Sequence, residues 1–200
     1  MPHARPICNP ACSGVLLAEI VGMVKPLLNN RRLQITLNRL AHQVVENHVS
    51  FKDTVIIGIQ PRGIHLSDRI AKKVADITGG GHIDYGKLDI TFYRDDVHSN
   101  NIPVPNQTDI PFSVQDKCVI LVDDVLHTGR TVRAAMDALI DFGRPRKVEL
   151  LVLVDRRFSR ELPIEPDYTG MTVDTILTQK VIVRWDENDC NDEVVLIDKI

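Results

Sequence analysis

Thirteen consecutive residues, VILVDDVLHTGRT from Val119 to Thr131, combine groups suited to binding a charged sugar. The apolar, β-branched run Val119–Val122 is typical of a strand covered on both faces. Asp123 and Asp124 stand where that strand is expected to end. A turn of small residues then leads into an amphipathic helical pattern. This order of strand, acidic pair, turn and helix predicts a site for a sugar phosphate.

The charges of these groups indicate how such a ligand would lie. Backbone N–H groups of the turn and the positive end of the helix would hold the phosphate. Asp123 and Asp124 repel an anion, so they are expected to face ribose hydroxyls, directly or through waters of a Mg²⁺ ion. A buried strand with an acidic helix cap accounts for one aspartate, but not for the pair or the turn. For His127 a packing or solvent-facing role is favoured over that of a general base.

A second loop, Gln60-Pro61-Arg62-Gly63, follows a predicted strand over 54–60. Arg62 would hold diphosphate oxygens by bidentate hydrogen bonds, and Gly63 allows a close backbone approach. The alternative is an ordinary surface arginine in a turn. The neighbouring 119–131 stretch favours the functional interpretation.

A third loop begins at Arg94-Asp95-Asp96 and continues to Pro111. It is long enough to act as a lid that excludes water from a reacting sugar carbon, and Arg94 would meet the leaving diphosphate. A solvated charge cluster is the alternative. No Ser/His/Asp or Cys/His nucleophile arrangement is evident, so positioning and electrostatics are the expected means of catalysis.

Strand and helix patterns alternate along the chain, which predicts an α/β fold with a mainly parallel central sheet flanked by helices. Ligands then gather at the carboxyl ends of the strands. Helices are predicted over 29–47, 63–77 and 131–142. Strands are predicted over 54–60, 88–93, 119–122 and 147–154, with a small C-terminal hood of short strands over 173–176, 181–185 and 194–197.

Composition excludes several classes of protein. The 200 residues fit one domain, and the net charge of −3 gives no global basic field for nucleic acid, so any RNA contact requires a local patch. The apolar stretches are shorter than the ~18 residues of a membrane span. The four cysteines lack zinc-type pairing, and reduced thiols in a cytoplasmic protein are the default expectation. Residues 1–22 are predicted to be a flexible extension, or a mis-called start before Met23, with 23–200 as a single domain.

The 119–131 stretch resembles the signature of type I phosphoribosyltransferases, which use 5-phosphoribosyl 1-diphosphate (PRPP). Over roughly residues 24–200 the resemblance is to the PyrR family. It is carried by LNRLAHQVVE, VIIGIQPRGIHLSDRIA, LDITFYRDDV, VILVDDVLHTGRTVRAAMDALIDFGRP and VLVDRRFSRELPIEPDYTG, in that order. PyrR proteins are bacterial regulators that bind the mRNA leader of the pyrimidine operon and also act as uracil phosphoribosyltransferases. The resemblance implies PRPP, uracil and UMP as ligands, Mg²⁺ held through PRPP and the acidic pair, and a homodimer or homotetramer.

By motif, Arg62, Asp123 through Thr131, Arg156 and Val181 align with the nucleotide and PRPP positions of the family. The residue patterns and the resemblance together give the following candidate residues. The catalytic positions are Asp123, Asp124 and Arg94. The PRPP- and nucleotide-binding positions are Pro61, Arg62, Asp123, Asp124, Val125, Leu126, His127, Thr128, Gly129, Arg130, Thr131, Arg156 and Val181. Many type I transferases have a cis peptide in the loop that contains Arg62, and the proline here predicts that Gln60–Pro61 is cis. The chain departs from the family in two places, since His127 stands where tyrosine is usual and RRFSREL is longer than the usual turn.

RNA contacts are predicted at two basic clusters. Arg31, Arg32, Arg39 and His42 have spacings that allow one helix face, and Arg156, Arg157 and Arg160 form the second. Of these, Arg39, His42 and Arg160 are the candidate RNA-binding residues, and a solvated helix face is the alternative. Three functional hypotheses remain: a uracil phosphoribosyltransferase that also regulates, an RNA-binding UMP sensor with little catalysis, and a purine-salvage transferase.

Overall fold

The structure is a computed structural model that describes residues 24–48, 50–95, 104–176, 178–189 and 191–198. The chain divides into two compact units. The larger unit is Gln34–Ile176, and the smaller one combines the described residues up to Leu33 with those after 177. The predicted extension at 1–22, three of the four cysteines and the predicted lid residues 96–103 lie outside the described residues.

Helices and strands alternate through most of the described chain. The strands are β1 (Val24–Leu28), β2 (Thr54–Ile59), β3 (Asp84–Leu88), β4 (Cys118–Leu126), β5 (Lys147–Arg157), β6 (Tyr168–Asp174), β7 (Gln179–Arg184) and β8 (Glu193–Asp198). The helices are α1 (Asn30–Asn47), α2 (Gly63–Ile77), α3 (Arg130–Leu139) and the single turn α4 (Asp186–Asp189). Among the described helices, none has both the length and the apolar character needed to cross a bilayer.

The larger unit is built on a five-stranded parallel sheet of order β3-β2-β4-β5-β6. Every residue of β2 is buried, as is nearly all of β4, which agrees with their unbroken apolar sequences. Side chains of the four strands β2 to β5 pack against the apolar stripe of α3, including Val132, Ala135 and Leu139. Because all five strands run in one direction, their carboxyl ends and the loops that follow share one edge of the sheet.

The acidic pair lies within a strand rather than after one. β4 continues to Leu126, four residues past the predicted end, and its pairing with β5 extends to Leu126 opposite Asp155. The backbone that carries Asp123 and Asp124 is therefore held by pairing with β5, beyond the point at which pairing with β2 ends at Val122.

The prediction of a strand over 88–93 is wrong. β3 spans Asp84–Leu88 and a 3₁₀ turn follows at Thr91–Tyr93. The cause is Asp89, whose carboxylate accepts from the backbone N–H groups of Thr91 and Asn106, both at 2.7 Å. These side-chain bonds compete with the sheet ladder and turn the chain away from it.

Two strands at the ends of the fold were also mispredicted. The strand expected in the hood over 173–176 is β6, which begins at Tyr168 and pairs parallel with β5 in the main sheet. The strand β1 was not predicted at all, since it is short and contains Pro26. Proline is tolerated there because β1 is an edge strand.

The smaller unit is an antiparallel sheet of order β1-β8-β7. β7 and β8 pair in register from Gln179 opposite Asp198 to Arg184 opposite Glu193. The predicted hood of short strands is thus present, but it draws its third strand from the amino-terminal side of the chain.

Candidate active site

The acidic pair is buried at the carboxyl edge of the parallel sheet. Asp123 is 6% exposed and Asp124 is 4% exposed. The Asp124 backbone N–H donates to Asp123 Oδ1 at 2.9 Å, whereas Asp124 Oδ2 has no hydrogen-bond partner among the described residues. Burial raises the pKa of Asp123, and the charge of Asp124 raises it further. Burial also raises the pKa of Asp124, against the opposing effect of the Arg62 guanidinium.

The Arg62 loop lies beside this pair. Arg62 Nη1 is 3.9 Å from Asp124 Oδ2, and the arginine side chain is about half exposed, at 53%. The Gln60–Pro61 peptide bond is cis, as predicted. Gly63 is the first residue of α2, and a Cβ there would lie 2.4 Å from the carbonyl oxygen of Val122. The glycine therefore lets the helix begin directly against β4, which holds Arg62 at the acidic pair.

The turn after β4 is formed by His127, Thr128 and Gly129, and we call these three residues the phosphate loop. Gly129 has φ +94°, a left-handed conformation that favours glycine, and it caps α3 without a side-chain hydrogen bond to the helix. The capping glycine supplies no side-chain acceptor, and the Arg130 N–H makes only a long hydrogen bond to Thr128 Oγ1, at 3.4 Å. A helix start with so little side-chain capping is the arrangement that binds anions. His127 is exposed.

The segment Arg160–Ile164 packs against the phosphate loop. The carbonyl oxygen of Thr128 accepts from the backbone N–H groups of Glu161 and Leu162, at 3.0 and 3.1 Å. Arg160 Nη1 donates to the carbonyl oxygen of His127 at 2.6 Å. Sequence reasoning did not assign Glu161, Leu162 or Ile164 to the site. Their only signal was the RELPI stretch in the family resemblance.

Ion pairs connect the start of α3 with the two flanking loops. Arg130 Nε donates to Glu161 Oε2 at 2.6 Å, and its Nη1 lies 3.5 Å from Asp95 Oδ2. Arg133 Nη2 lies 3.0 Å from the same Asp95 oxygen, a contact that the sequence did not suggest. Asp95 directly follows Arg94, which is exposed at the end of the 3₁₀ turn. The structure thus places the start of the predicted lid beside α3.

Arg156 and Val181 are the remaining residues predicted to bind nucleotide. Arg156 lies near the end of β5 and is only 6% exposed. Its Nε donates to Thr175 Oγ1 at 3.1 Å, and burial lowers the pKa of its guanidinium. Val181 is buried in β7 of the smaller unit. The other predicted PRPP-binding residues all belong to the larger unit.

The candidate RNA-binding residues are placed differently from one another. Arg39 Nη2 donates to the carbonyl oxygens of Thr169 and Gly170, so its guanidinium fastens α1 to the edge strand β6. His42 is exposed one turn further along α1. Arg160 forms an ion pair with Asp155. Asp155, Arg160, Phe158 and Ile164 line part of a cavity of about 670 Å³.

A separate group of metal-ligand side chains lies at the amino ends of the strands. His48, Cys118 and Glu149 place their ligand atoms within 4.8 Å of one another. Glu149 Oε2 already accepts from His48 Nε2 and from the Tyr168 hydroxyl, both at 2.8 Å. Burial raises the pKa of the Cys118 thiol to about 11. We interpret this group as a buried hydrogen-bond network.

Comparison with known proteins agrees with this geometry. The family model described as "Phosphoribosyl transferase domain" matches residues 23–188. A hypoxanthine phosphoribosyltransferase from Staphylococcus aureus superposes with a TM-score of 0.66 at 20% identity, covering 88% of this chain and 91% of that one. At that identity the likeness shows the fold alone. Together with the family match, it defines a phosphoribosyltransferase of type I fold.

Closer relatives define the family more narrowly. The chain is 50% identical over 172 residues to the "Bifunctional protein PyrR" of Desulfosudis oleivorans, covering 86% of this chain and 94% of that protein. It is 45% identical over 173 residues to the "Bifunctional protein PyrR" of Bacillus subtilis, covering 85% and 94%. The chain therefore belongs to the PyrR family of phosphoribosyltransferases.

Proposed function

We propose that this protein is a uracil phosphoribosyltransferase that forms UMP and diphosphate from uracil and PRPP, and that it also regulates pyrimidine biosynthesis by UMP-dependent RNA binding. The observation that carries the enzymatic proposal is the buried Asp123–Asp124 pair beside a glycine-capped helix start. Such a pair is costly to bury and has no evident structural purpose.

The phosphate loop and the start of α3 would bind the 5′-phosphate of PRPP. Backbone N–H groups of Thr128 to Thr131 and the helix dipole supply the attraction. Val125 and Leu126 carry the chain from the acidic pair to this loop. Arg62 and the Pro61 turn would contact the diphosphate, with Arg94 approaching it from the other side.

The acidic pair would bind the ribose hydroxyls. As the bond to diphosphate breaks, the ribosyl carbon gains positive charge, and two nearby carboxylates stabilise that charge in a site with little water. The Asp124 oxygen that lacks a hydrogen-bond partner fits an oxygen-donor ligand set of the kind Mg²⁺ prefers. A bound Mg²⁺ would neutralise part of the diphosphate charge. Asp123, Asp124 and the phosphates of PRPP would hold it.

The choice of uracil rests on membership of the PyrR family, with Arg156 and Val181 as the proposed nucleotide contacts. A direct test supplies PRPP and Mg²⁺ with uracil, hypoxanthine or guanine as the competing base. We expect UMP to be the product from an equimolar mixture. Preferential formation of IMP or GMP would instead indicate a purine-salvage enzyme.

The regulatory role would place RNA on α1 and on the Arg160 loop. The net charge of −3 offers no general attraction, so specific contacts by Arg39, His42 and Arg160 must supply the binding. We also propose a homodimer or homotetramer, which would double this basic surface and whose mass light scattering would measure. Mg²⁺, PRPP, uracil, UMP and the pyrimidine-operon mRNA leader are then the complete set of proposed partners.

RNA binding is tested by titrating a pyrimidine-operon leader transcript with and without UMP. We expect UMP to tighten binding, and His42→Ala to weaken it by about 10-fold, the loss of one good contact. The matched control Lys72→Ala removes an exposed cation from α2 and should bind as the wild type does. Binding that is absent or indifferent to UMP would contradict the regulatory role but leave the transferase intact.

A further inference from the structure

The RELPI segment, Arg160 to Ile164, lies directly behind the phosphate loop in the larger unit. Two consecutive N–H groups, those of Glu161 and Leu162, donate to the single carbonyl oxygen of Thr128. This bifurcated contact fixes the central peptide of the loop. A loop whose carbonyl is held from behind presents its own N–H groups on the opposite side.

Arg160 holds the preceding peptide of the loop. Its Nη1 donates to the carbonyl oxygen of His127 at 2.6 Å, and its Nη2 pairs with the carboxylate of Asp155. Asp155 lies opposite Leu126 in the register between β5 and β4. The guanidinium therefore ties the phosphate loop to the end of the central sheet, and only 22% of its side chain is exposed.

Glu161 and Ile164 hold the last residue of the loop and the first residue of the helix. The Glu161 carboxylate accepts from Arg130 Nε at 2.6 Å. A Cβ on Gly129 would lie 3.1 Å from Ile164 Cδ1 and 3.3 Å from Leu162 Cβ. Each of the residues from 127 to 130 thus touches the RELPI segment through backbone or side chain.

We infer that Arg160 and Glu161 are positioning residues, which hold the phosphate loop in the geometry that binds the 5′-phosphate of PRPP. The inference rests on the proposed role of that loop. A short turn with a left-handed glycine has many competing conformations, and ordering it at the moment of binding would cost affinity. The contacts from the RELPI segment order the loop beforehand.

Substitution of Arg160 tests this role through PRPP affinity. We expect Arg160→Met to raise both the Kd and the KM for PRPP about 10-fold, the loss of one charged hydrogen bond, with kcat and the KM for uracil nearly unchanged. Arg160→Lys, whose single ammonium group cannot bridge both partners, should fall between. If Arg160→Met does not fold, Arg160→Lys carries the test by itself.

Substitution of Glu161 is a second test, because positioning and simple electrostatics predict opposite changes in PRPP affinity. Its carboxylate lies close to the proposed phosphate site, so removing the charge by itself would tighten the binding of an anion. If Glu161 positions Arg130, Glu161→Ala will weaken PRPP binding by about 3-fold or more despite that gain. Glu161→Gln, which keeps the acceptor oxygen, should recover most of the loss.

Lys117→Met is the matched control. Lys117 forms an ion pair with Asp84 at the amino ends of the strands and is 23% exposed, close to the exposure of Arg160. The Lys117→Met variant loses an ion pair similar to that of Arg160 but should bind PRPP as tightly as wild type does. Kd is measured under conditions where each variant is fully folded, because an unfolded fraction would raise the apparent Kd.

The outcomes separate this inference from the proposed function. Wild-type PRPP binding, with Arg160→Met and Glu161→Ala indistinguishable from Lys117→Met, would overturn the positioning role and leave the transferase proposal standing. Tighter binding by Glu161→Ala would also overturn it. PRPP binding without uracil turnover would refute the proposed base, while the positioning role would still be measured by PRPP affinity. A wild type that binds no PRPP would refute both.

Discussion

At the scale of single residues, the burial of the acidic pair lowers the stability of the folded protein while it prepares a binding site. Asp123 and Asp124 are adjacent, almost completely buried, and close to one guanidinium, that of Arg62. A carboxylate removed from water in this way destabilises the folded state unless it is paired. The pair is therefore expected to be a weak point of the apoprotein, as active-site groups often are.

Replacing Asp123 by asparagine should stabilise the apoprotein at neutral pH. The pKa of Asp123 is raised in the folded state, so this carboxyl group lowers the free energy of unfolding once the pH exceeds the ordinary carboxyl value. The destabilisation disappears in acid, where the group is protonated in both the folded and the unfolded protein. We expect a gain of about 1–2 kcal/mol in the free energy of unfolding at pH 8, which fades below about pH 4.

Urea unfolding at both pH values measures this gain. The control is Asp76→Asn, which changes an exposed carboxylate of α2 and should have little effect. A loss of stability at pH 8 in Asp123→Asn would show that the carboxylate is well paired in the folded protein, contrary to this interpretation.

Gly129 is a second residue at which backbone and site are linked. Its φ of +94° disfavours any side chain, and a Cβ would also crowd Ile164. Gly129→Ala should cost about 1–2 kcal/mol of folding free energy and, in addition, weaken PRPP binding. Gly80→Ala is the matched control, because Gly80 has φ +82° with open space around its Cβ. Equal PRPP affinity in the two variants would contradict the assigned role of Gly129.

At the scale of elements, the central strands and helices were predictable because their apolar residues are buried on a regular period. β2, α1 and α2 lie close to their predicted bounds, whereas β4 continues four residues past its predicted end. β3 was misplaced because LDITFY reads as a strand by composition, whereas the Asp89 carboxylate binds two backbone N–H groups and ends the ladder. Side-chain bonds of this kind leave no periodic signal in a sequence.

The buried network at Glu149 joins three elements of the larger unit. Glu149 on β5 accepts from His48 after α1 and from Tyr168 on β6, while Lys147 binds its other oxygen at 2.6 Å. Burial by itself would raise the pKa of Glu149, but these hydrogen bonds outweigh it and lower that pKa to about 2. The network therefore stabilises the fold as long as Glu149 is ionised.

This network predicts the acid sensitivity of the protein. A carboxyl whose folded pKa is lowered gives stability above its unfolded value, near 4.5, and loses it as the pH falls toward 2. Over that interval the free energy of unfolding of wild type should fall by roughly 2–3 kcal/mol relative to that of Glu149→Gln. Chemical unfolding across pH 2–6 measures the difference, with exposed Glu46→Gln as the control. Parallel pH profiles for wild type and Glu149→Gln would refute the assignment.

At the scale of the whole molecule, the residues that would carry out the chemistry could be predicted from the sequence. The contacts that hold those residues in place could not. The acidic pair, Arg62 and the phosphate loop are contiguous motifs at strand ends, so a parallel sheet brings them together. The contacts from Arg160 and Glu161 join residues more than 30 positions apart. They became visible only when β4, β5 and the loop after β5 were placed side by side.

The central claim is that the buried acidic pair serves PRPP-dependent transfer to uracil. The most direct test measures UMP formed from uracil, PRPP and Mg²⁺ by wild type and by the Asp123→Asn/Asp124→Asn double variant. We predict UMP from wild type, and a loss of about 100-fold or more in a double variant that stays folded. Absence of UMP from wild type, or full activity in the double variant, would contradict the claim.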